Sequence, residues 1–172
     1  NAESLHTVLH DIVNAIEAEY TDQICSILLL EDGKLKMGAA PSLPDFYNDA
    51  IDGVEFGVGR GSCGNTAATN LPTIVEDIST HPFWTDWKDL ALRAGVCSCW
   101  SQPIQGANGD AIGTFAIYHR ERAVPTADEM RLIEQFAHIA SIAIERELAN
   151  QLIWKQANFD SLTGLPNRNL ML

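Results

Sequence analysis

The stretch Cys25-Ser-Ile-Leu-Leu-Leu-Glu-Asp-Gly-Lys-Leu-Lys-Met-Gly-Ala39 decides the fold. An unbroken apolar run from Cys25 to Leu30 meets an Asp-Gly turn, and a second short run from Leu35 to Ala39 follows, which is the pattern of a β-hairpin. The first run lacks polar alternation, so both faces of its sheet are covered, one by helices and the other by something else. A second hairpin is read from Val96–Ile104 and Ala111–Tyr118, joined through Gln105-Gly-Ala-Asn-Gly-Asp110, and Thr73–Val75 adds a short strand. Leu5, Val8, Leu9, Ile12, Val13 and Ile16 recur at helical spacing, which predicts an amphipathic helix over the first 19 or so residues. Short helices are predicted over Asp45–Ile51 and Lys88–Arg93, with a glycine-dense loop from Gly53 to Gly64. Hairpins interspersed with helices make the class α+β with an antiparallel sheet.

Composition sets the outer limits. The 172 residues are 46% hydrophobic and 20% charged, enough for one domain with a full core. Twenty-three acidic against eleven basic side chains give a net charge of −12, which disfavours nucleic acid as a partner. The longest apolar runs are strand-sized, far short of the roughly 20 residues of a membrane span, and no secretory leader pattern opens the chain; a cytoplasmic location is expected. Four cysteines, Cys25, Cys63, Cys97 and Cys99, are too few to staple this length and form no zinc knuckle, so reduced thiols are expected, with Cys97 and Cys99 on one face of a strand.

Toward the C-terminus, Thr126-Ala-Asp-Glu129 is a capping box that starts a helix, and neither Gly nor Pro interrupts the chain before Gly164. The helix is predicted to run to about Asn158 and to approach about 50 Å in length. Ile133, Phe136 or Ala137, Ala140, Ile144, Leu148 and Leu152 keep a near 3.5-residue repeat. To about Ile144 the stripe is expected on the domain's own sheet. Beyond it Leu148, Leu152 and Ile153 would be bare on a monomer, and a parallel homodimer with Ile144, Leu148 and Leu152 along its rod would bury them.

Gly59-Arg-Gly-Ser-Cys-Gly64 fits a phosphate-cradling string, but the helix after it is short and no βαβ unit surrounds it. Two readings stand: a tight turn that needs glycine dihedrals, or backbone N–H groups at a helix start meeting an anionic or carbonyl ligand, with Cys63 acidified beside them. His81, Phe83, Trp84 and Trp87 share one loop, Trp100 sits on a later strand with Ser98 and Gln102 on its face, and Phe46, Tyr47 and Phe56 are further walls. These aromatics either line a small-molecule pocket or plug the open face of the sheet. His81 is a candidate haem or metal ligand against a hydrogen-bonded surface group, and His6 and His10 lack the Glu of a zinc-protease helix; no metal site is predicted. With no paired carboxylates and no nucleophile elbow, no catalytic residue is assigned, and Cys63 is the one reactive-group candidate.

From Leu30 to Ile144 the chain resembles a GAF domain of bacterial sensors. The likeness rests on Cys25–Leu30, Leu43-Pro-Asp-Phe-Tyr47, Gly59–Gly64, Val75-Glu-Asp-Ile78, Cys99-Trp-Ser-Gln-Pro-Ile104 and Gly113-Thr-Phe-Ala116. Phe159-Asp-Ser-Leu-Thr-Gly-Leu-Pro-Asn-Arg168 resembles the opening of a GGDEF diguanylate cyclase domain. The resemblance implies an antiparallel sheet of about six strands, with the terminal helices on one face and loops and short helices over a pocket on the other, Phe115 among its walls. It implies a sensory domain at 1–145, a signalling helix at 146–158 and the start of the output domain at 159–172. The cyclase signature Gly-Gly-Asp/Glu-Glu-Phe does not occur, so the expected role is regulatory and not enzymatic: a homodimer responding to a small ligand, haem among the possibilities, and acting on a partner that makes or degrades cyclic di-GMP. Two alternatives are a ligand-free dimerisation spacer and a free methionine-(R)-sulfoxide reductase. That reductase family shares the Cys63 turn but carries its reducing thiol in the loop that here reads Ser79–Trp87, which has no cysteine.

Overall fold

The computed structural model describes residues 2–158. Among them the chain forms α1 (Ala2–Glu19), β1 (Ile24–Glu31), β2 (Lys34–Ala39), α2 (Asp45–Ile51), β3 (Val54–Glu55), α3 (Gly61–Thr69), β4 (Thr73–Val75), α4 (Lys88–Arg93), β5 (Ser98–Gln105), β6 (Ala111–His119) and α5 (Ala127–Asn158), with a 3₁₀ turn at Pro82–Trp84 before α4. The strands make one six-stranded antiparallel sheet in the order β3-β2-β1-β6-β5-β4.

The first hairpin closes through Asp32 and Gly33, both at positive φ (53° and 76°), the left-handed pair that matches the twist of the flanking strands. Pairing of Glu31 with Lys34 then sets the register. The edge strand β3 lies inside the expected glycine loop, since two paired residues carry no readable periodicity. β5 begins at Ser98, so Cys97 precedes the strand and is only half-buried, where the sequence placed it on the face of Cys99.

Because β1, β5 and β6 are apolar on both faces, the sheet divides two cores. On one face Leu9, Val13 and Ile16 of α1 and Ile133, Phe136, Ala140 and Ile144 of α5 pack on Cys25, Ile27, Trp100, Phe115 and Ile117. On the other, Leu28, Leu35, Cys99, Ala116 and Tyr118 meet Tyr47 of α2, Cys63 and Ala67 of α3, Trp84 and Ala91. Alternate residues along β6 therefore serve different cores, with a single layer of backbone between them.

The capping box forms at the start of α5: Thr126 N donates to Glu129 Oε1 (3.0 Å) and Glu129 N to Thr126 Oγ1 (3.1 Å). The helix is unbroken for 32 residues, roughly 48 Å at 1.5 Å per residue. Past Ile144 it carries Leu148 (50% exposed), Leu152 (57%), Ile153 and Trp154 on its surface.

Close strand approach makes Gly113 a test of the sheet. A Cβ there would lie 2.6 Å from the Leu28 carbonyl oxygen on β1. Gly113→Ala is expected to lower stability by about 1–3 kcal/mol, measured as a lower urea midpoint; an unchanged midpoint would contradict this packing.

Candidate functional site

The glycines of the 59–64 stretch shape the entry to α3. Gly59 and Gly61 stand at φ +77° and +69°, which side chains with a Cβ rarely adopt, and Gly59 N donates to Asn65 Oδ1 (3.0 Å), tying the loop to the helix it precedes. The tight-turn reading of this string accounts for Gly59 and Gly61. The turn sets Ser62 and Cys63 in the first turn of α3, facing the sheet.

A cavity lies between this helix start and the sheet, lined by Leu28, Leu35 and Tyr118 of the strands, Tyr47 and Ile51 of α2, Val54, Arg60 to Gly64, and Trp84, Trp87 and Leu90. Its volume is about 40 Å³, room for about three waters. A volume of this size falls far short of one that encloses a haem or flavin.

The wall is apolar with a small polar floor. Tyr47 donates its hydroxyl to Tyr118 (3.1 Å), and their rings meet edge-on at 6.0 Å. Trp84 Nε1 donates to Ser62 Oγ (2.9 Å), and Ser62 Oγ donates to the Cys99 carbonyl (3.4 Å), so one serine pins the lid tryptophan to the sheet. Ser101 Oγ donates to Cys63 Sγ (3.4 Å). The polar groups around Cys63, Cys99 first and then the Ser101 hydroxyl, outweigh burial and bring its thiol down to about 7. Burial and the neighbouring Cys63 push the Cys99 thiol up, and burial likewise raises both tyrosines, keeping their hydroxyls protonated.

Of the aromatics singled out by sequence, Tyr47, Trp84 and Trp87 reach the cavity beside Cys63. Phe56 and Phe83 pack around the same core without lining the opening. Phe46 is exposed beneath the Arg93 guanidinium, 4.9 Å from its ring centre. His81 caps the 3₁₀ turn, its Nδ1 accepting from Phe83 N (3.1 Å) while its ring meets Phe83 at 4.6 Å. Trp100 and Phe115 lie on the opposite face. Trp100 meets the tilted ring of His119 (4.5 Å) and donates Nε1 to the Ala123 carbonyl (2.8 Å), and Phe115 packs on Phe136 (5.8 Å). The physical reason is strand parity: Cys99, Ser101, Ala116 and Tyr118 point to the α3 side of the sheet, so Trp100 and Phe115 must face α1 and α5. Leu28, Leu35, Ile51, Val54, Arg60, Leu90 and Tyr118 line the cavity without having been singled out. Tyr118 was findable as the residue sharing Ala116's parity. Among the described residues no group of three His, Cys, Asp or Glu is placed to hold a metal ion, and no helix is long and apolar enough to cross a membrane.

An antiparallel sheet with the terminal helices on its back and short helices lidding a cavity on its front is the architecture of a class of sensor domains. The chain belongs to the GAF domain family, whose profile matches residues 2–145. It is 35% identical over 157 residues to the methyl sulfide methyltransferase-associated sensor of Methanosarcina acetivorans; the match covers 90% of this chain and 16% of that protein, so this chain spans about a sixth of its relative. In fold it is similar to a methyl-accepting chemotaxis protein (TM-score 0.68, 24% identity, covering 83% of this chain and 89% of that one). It is also similar to the type II free methionine-R-sulfoxide reductase of Thermoplasma acidophilum (TM-score 0.65, 17% identity, 84% and 95%). The chain is thus a GAF domain homologous to sensor proteins.

Two substitutions separate the faces. Trp100→Ala empties the helix-side core and is expected to cost about 3–5 kcal/mol, whereas Trp84→Phe removes one donor to Ser62 and costs about 1 kcal/mol. Urea unfolding of both variants reads the difference; equal losses would contradict the assignment of Trp100 to the helix side.

Proposed function

We propose that this GAF domain senses a small molecule at the Tyr47–Cys63–Trp84 cavity and relays its occupancy along α5, as one strand of a parallel homodimer, to a cyclic di-GMP synthesising or degrading domain. In this reading 1–145 is the sensor, 146–158 the signalling helix and 159–172 the beginning of the output domain. The last segment lies outside the described residues, and its assignment rests on the GGDEF-like sequence Phe159–Arg168 alone.

The observation that carries the reading is that α5 begins on the back of the cavity's sheet and continues as one helix with apolar side chains in solvent. Hydrogen bonds join the two ends of the path. At the C-terminus of α3, Asn70 in the left-handed conformation donates Nδ2 to the Gly109 carbonyl (2.9 Å) and accepts from Gln105 Nε2 (3.1 Å). The same β5–β6 turn is held by α5, where Glu145 Oε1 accepts from Ala107 N (2.9 Å) and Ser141 Oγ donates to the Gln105 carbonyl. A shift of α3 on ligand entry therefore pulls on a turn that α5 grips. A ligand drives the output only through its differential affinity for two placements of these elements.

The cavity's volume of about 40 Å³ favours a second reading, a ligand-free dimerisation spacer whose aromatic lid closes the sheet. The reductase reading has no support in the Ser79–Trp87 loop, which offers the cavity indoles and no thiol. Thermal melts against amino acids, cyclic nucleotides, flavin and haem separate sensor from spacer. A ligand at 100 times its dissociation constant adds about 2.7 kcal/mol, roughly 5–10 °C for a domain of this size; no shift from any of them favours the spacer. For the rod, Leu148→Glu with Leu152→Glu is expected to leave the domain folded and halve the mass in solution, and an unchanged dimer mass would contradict the helix seam.

A further inference from the structure

The walls of the cavity are not fastened alike. α2 is tied to the sheet by the Tyr47 hydroxyl on Tyr118 (3.1 Å), and to the end of β2 by Asn48 Nδ2, which donates to the Ala40 carbonyl (3.0 Å). α3 is tied by Ser62 Oγ, which donates to the Cys99 carbonyl, and by Thr66 Oγ1, which donates to the Ser101 carbonyl, both at 3.4 Å. The 3₁₀ turn is tied through Trp84 Nε1, which donates to Ser62 Oγ (2.9 Å). α4 differs: among the described residues none of its side chains makes a hydrogen bond or ion pair with another element. Its inner face carries Leu90, half-buried on the cavity, and the methyl group of Ala91, with Ala94 just past its end. Side chains this small bury little area and hold the helix weakly. The directional contact that α4 does make is with α2, where the Arg93 guanidinium lies 4.9 Å from the centre of the Phe46 ring and both side chains meet solvent.

Both flanks of α4 are anchored. Before it, Trp87 N donates to the carbonyl of the pinned Trp84 (2.9 Å). After it, Cys97 N donates to the His119 carbonyl (2.8 Å), and the Cys97 carbonyl accepts from Ile78 N (2.9 Å). Between α4 and this second anchor Gly95 stands at φ +84°, in a region that glycine enters and leaves without steric strain.

We propose that α4 is the movable wall of the cavity, pivoting between Trp87 and Gly95 and held shut by the Arg93–Phe46 clasp. Its outward swing carries Leu90 away and widens a space of about 40 Å³, while Tyr47, Ser62 and Trp84 keep their hydrogen bonds. An exposed cation–π contact suits a clasp because it is weak, worth roughly two- to fivefold in an equilibrium, and it parts and reforms without burying a charge. That the widening admits a ligand rests on the sensor reading above; that α4 opens does not, and its measurement needs no ligand.

Cys63 reports the opening, because it lines the cavity at 7% exposure whereas Cys25 and Cys99 stand at 0%. The folded chain is treated with N-ethylmaleimide and mapped by mass spectrometry, and amide exchange is followed over 88–94 and 45–51, the segments of α4 and α2. Labelling and exchange that require a local opening track its equilibrium population. Arg93→Ala and Phe46→Ala are each expected to raise the Cys63 rate roughly two- to fivefold, and the double variant no further. Exchange over 88–94 is expected to rise by the same factor while 45–51 holds, and Arg93→Lys, which keeps a cation, to stay near the parent. Constant rates at Cys25 and Cys99 would show that the fold is intact. An unchanged Cys63 rate in both single variants overturns the proposal. So does faster exchange confined to 45–51, or Cys25 accelerating in step with Cys63, the mark of global loosening. A failed ligand screen would leave the opening of α4 standing, and an α4 that stays shut would leave the sensor reading to another wall.

Discussion

The structure depends on a sheet that is apolar on both of its faces. β1, β5 and β6 carry large buried side chains alternately to α1 and α5 on one side and to α2, α3 and the tryptophan lid on the other. Neither layer of helices would have a surface to cover without those strands, and neither face of the strands could stay in water. Burying a β6 side chain on one side fixes its neighbour on the other, so the two cores share one backbone and cannot be repacked independently. Whatever disturbs the cavity wall at Tyr118 is felt within one residue at Ile117, where the helix side begins.

That double coverage also explains what could and could not be read from the sequence. The unbroken run from Cys25 to Leu30 announced strands covered on both sides, the Asp-Gly pair announced the left-handed turn, and Thr126 with Glu129 announced the start of α5; each is a local rule with a local cause. The side chosen by each residue was not legible. A strand with polar and apolar alternation declares its faces, but Cys99-Trp100-Ser101 and Phe115-Ala116-Ile117-Tyr118 are buried throughout, and chemistry alone does not say which of two cores takes Trp100. Aromatic character drew Trp100 and Phe115 to the expected cavity, while parity sends them to the helices and puts Tyr118 in their place. Half of the candidate site was therefore visible as residue types on loops and short helices, where Tyr47, Cys63, Trp84 and Trp87 do converge, and the strand-borne half was not.

Small polar groups give the cavity its character. Ser62, Ser101 and the two tyrosine hydroxyls are buried among apolar side chains, and each lies in a hydrogen bond that joins an element of the lid to an element of the sheet or to its neighbour. Such groups are costly to leave unmade, so they specify one lid position more sharply than apolar contacts alone. The tightness of the space follows from this specification. The glycine turn at 59–61 serves the same end by delivering Ser62 and Cys63 to the floor, where a residue with a Cβ at either glycine would meet an unfavourable backbone. At the far end of α3, Asn70 connects the lid to the β5–β6 turn that Glu145 and Ser141 hold from α5.

The central claim is that one layer of strand couples the cavity to the long helix, and a double-mutant cycle across that layer tests it most directly. Tyr118→Phe removes a hydroxyl on the cavity side, Phe136→Leu trims a ring on the helix side, and the two side chains belong to different cores. Unfolding free energies of the single and double variants should depart from additivity by at least about 0.5 kcal/mol if the shared backbone transmits the change. Additivity within about 0.3 kcal/mol would mean that the two faces behave as independent sites, and the coupling that the rest of the account requires would be absent.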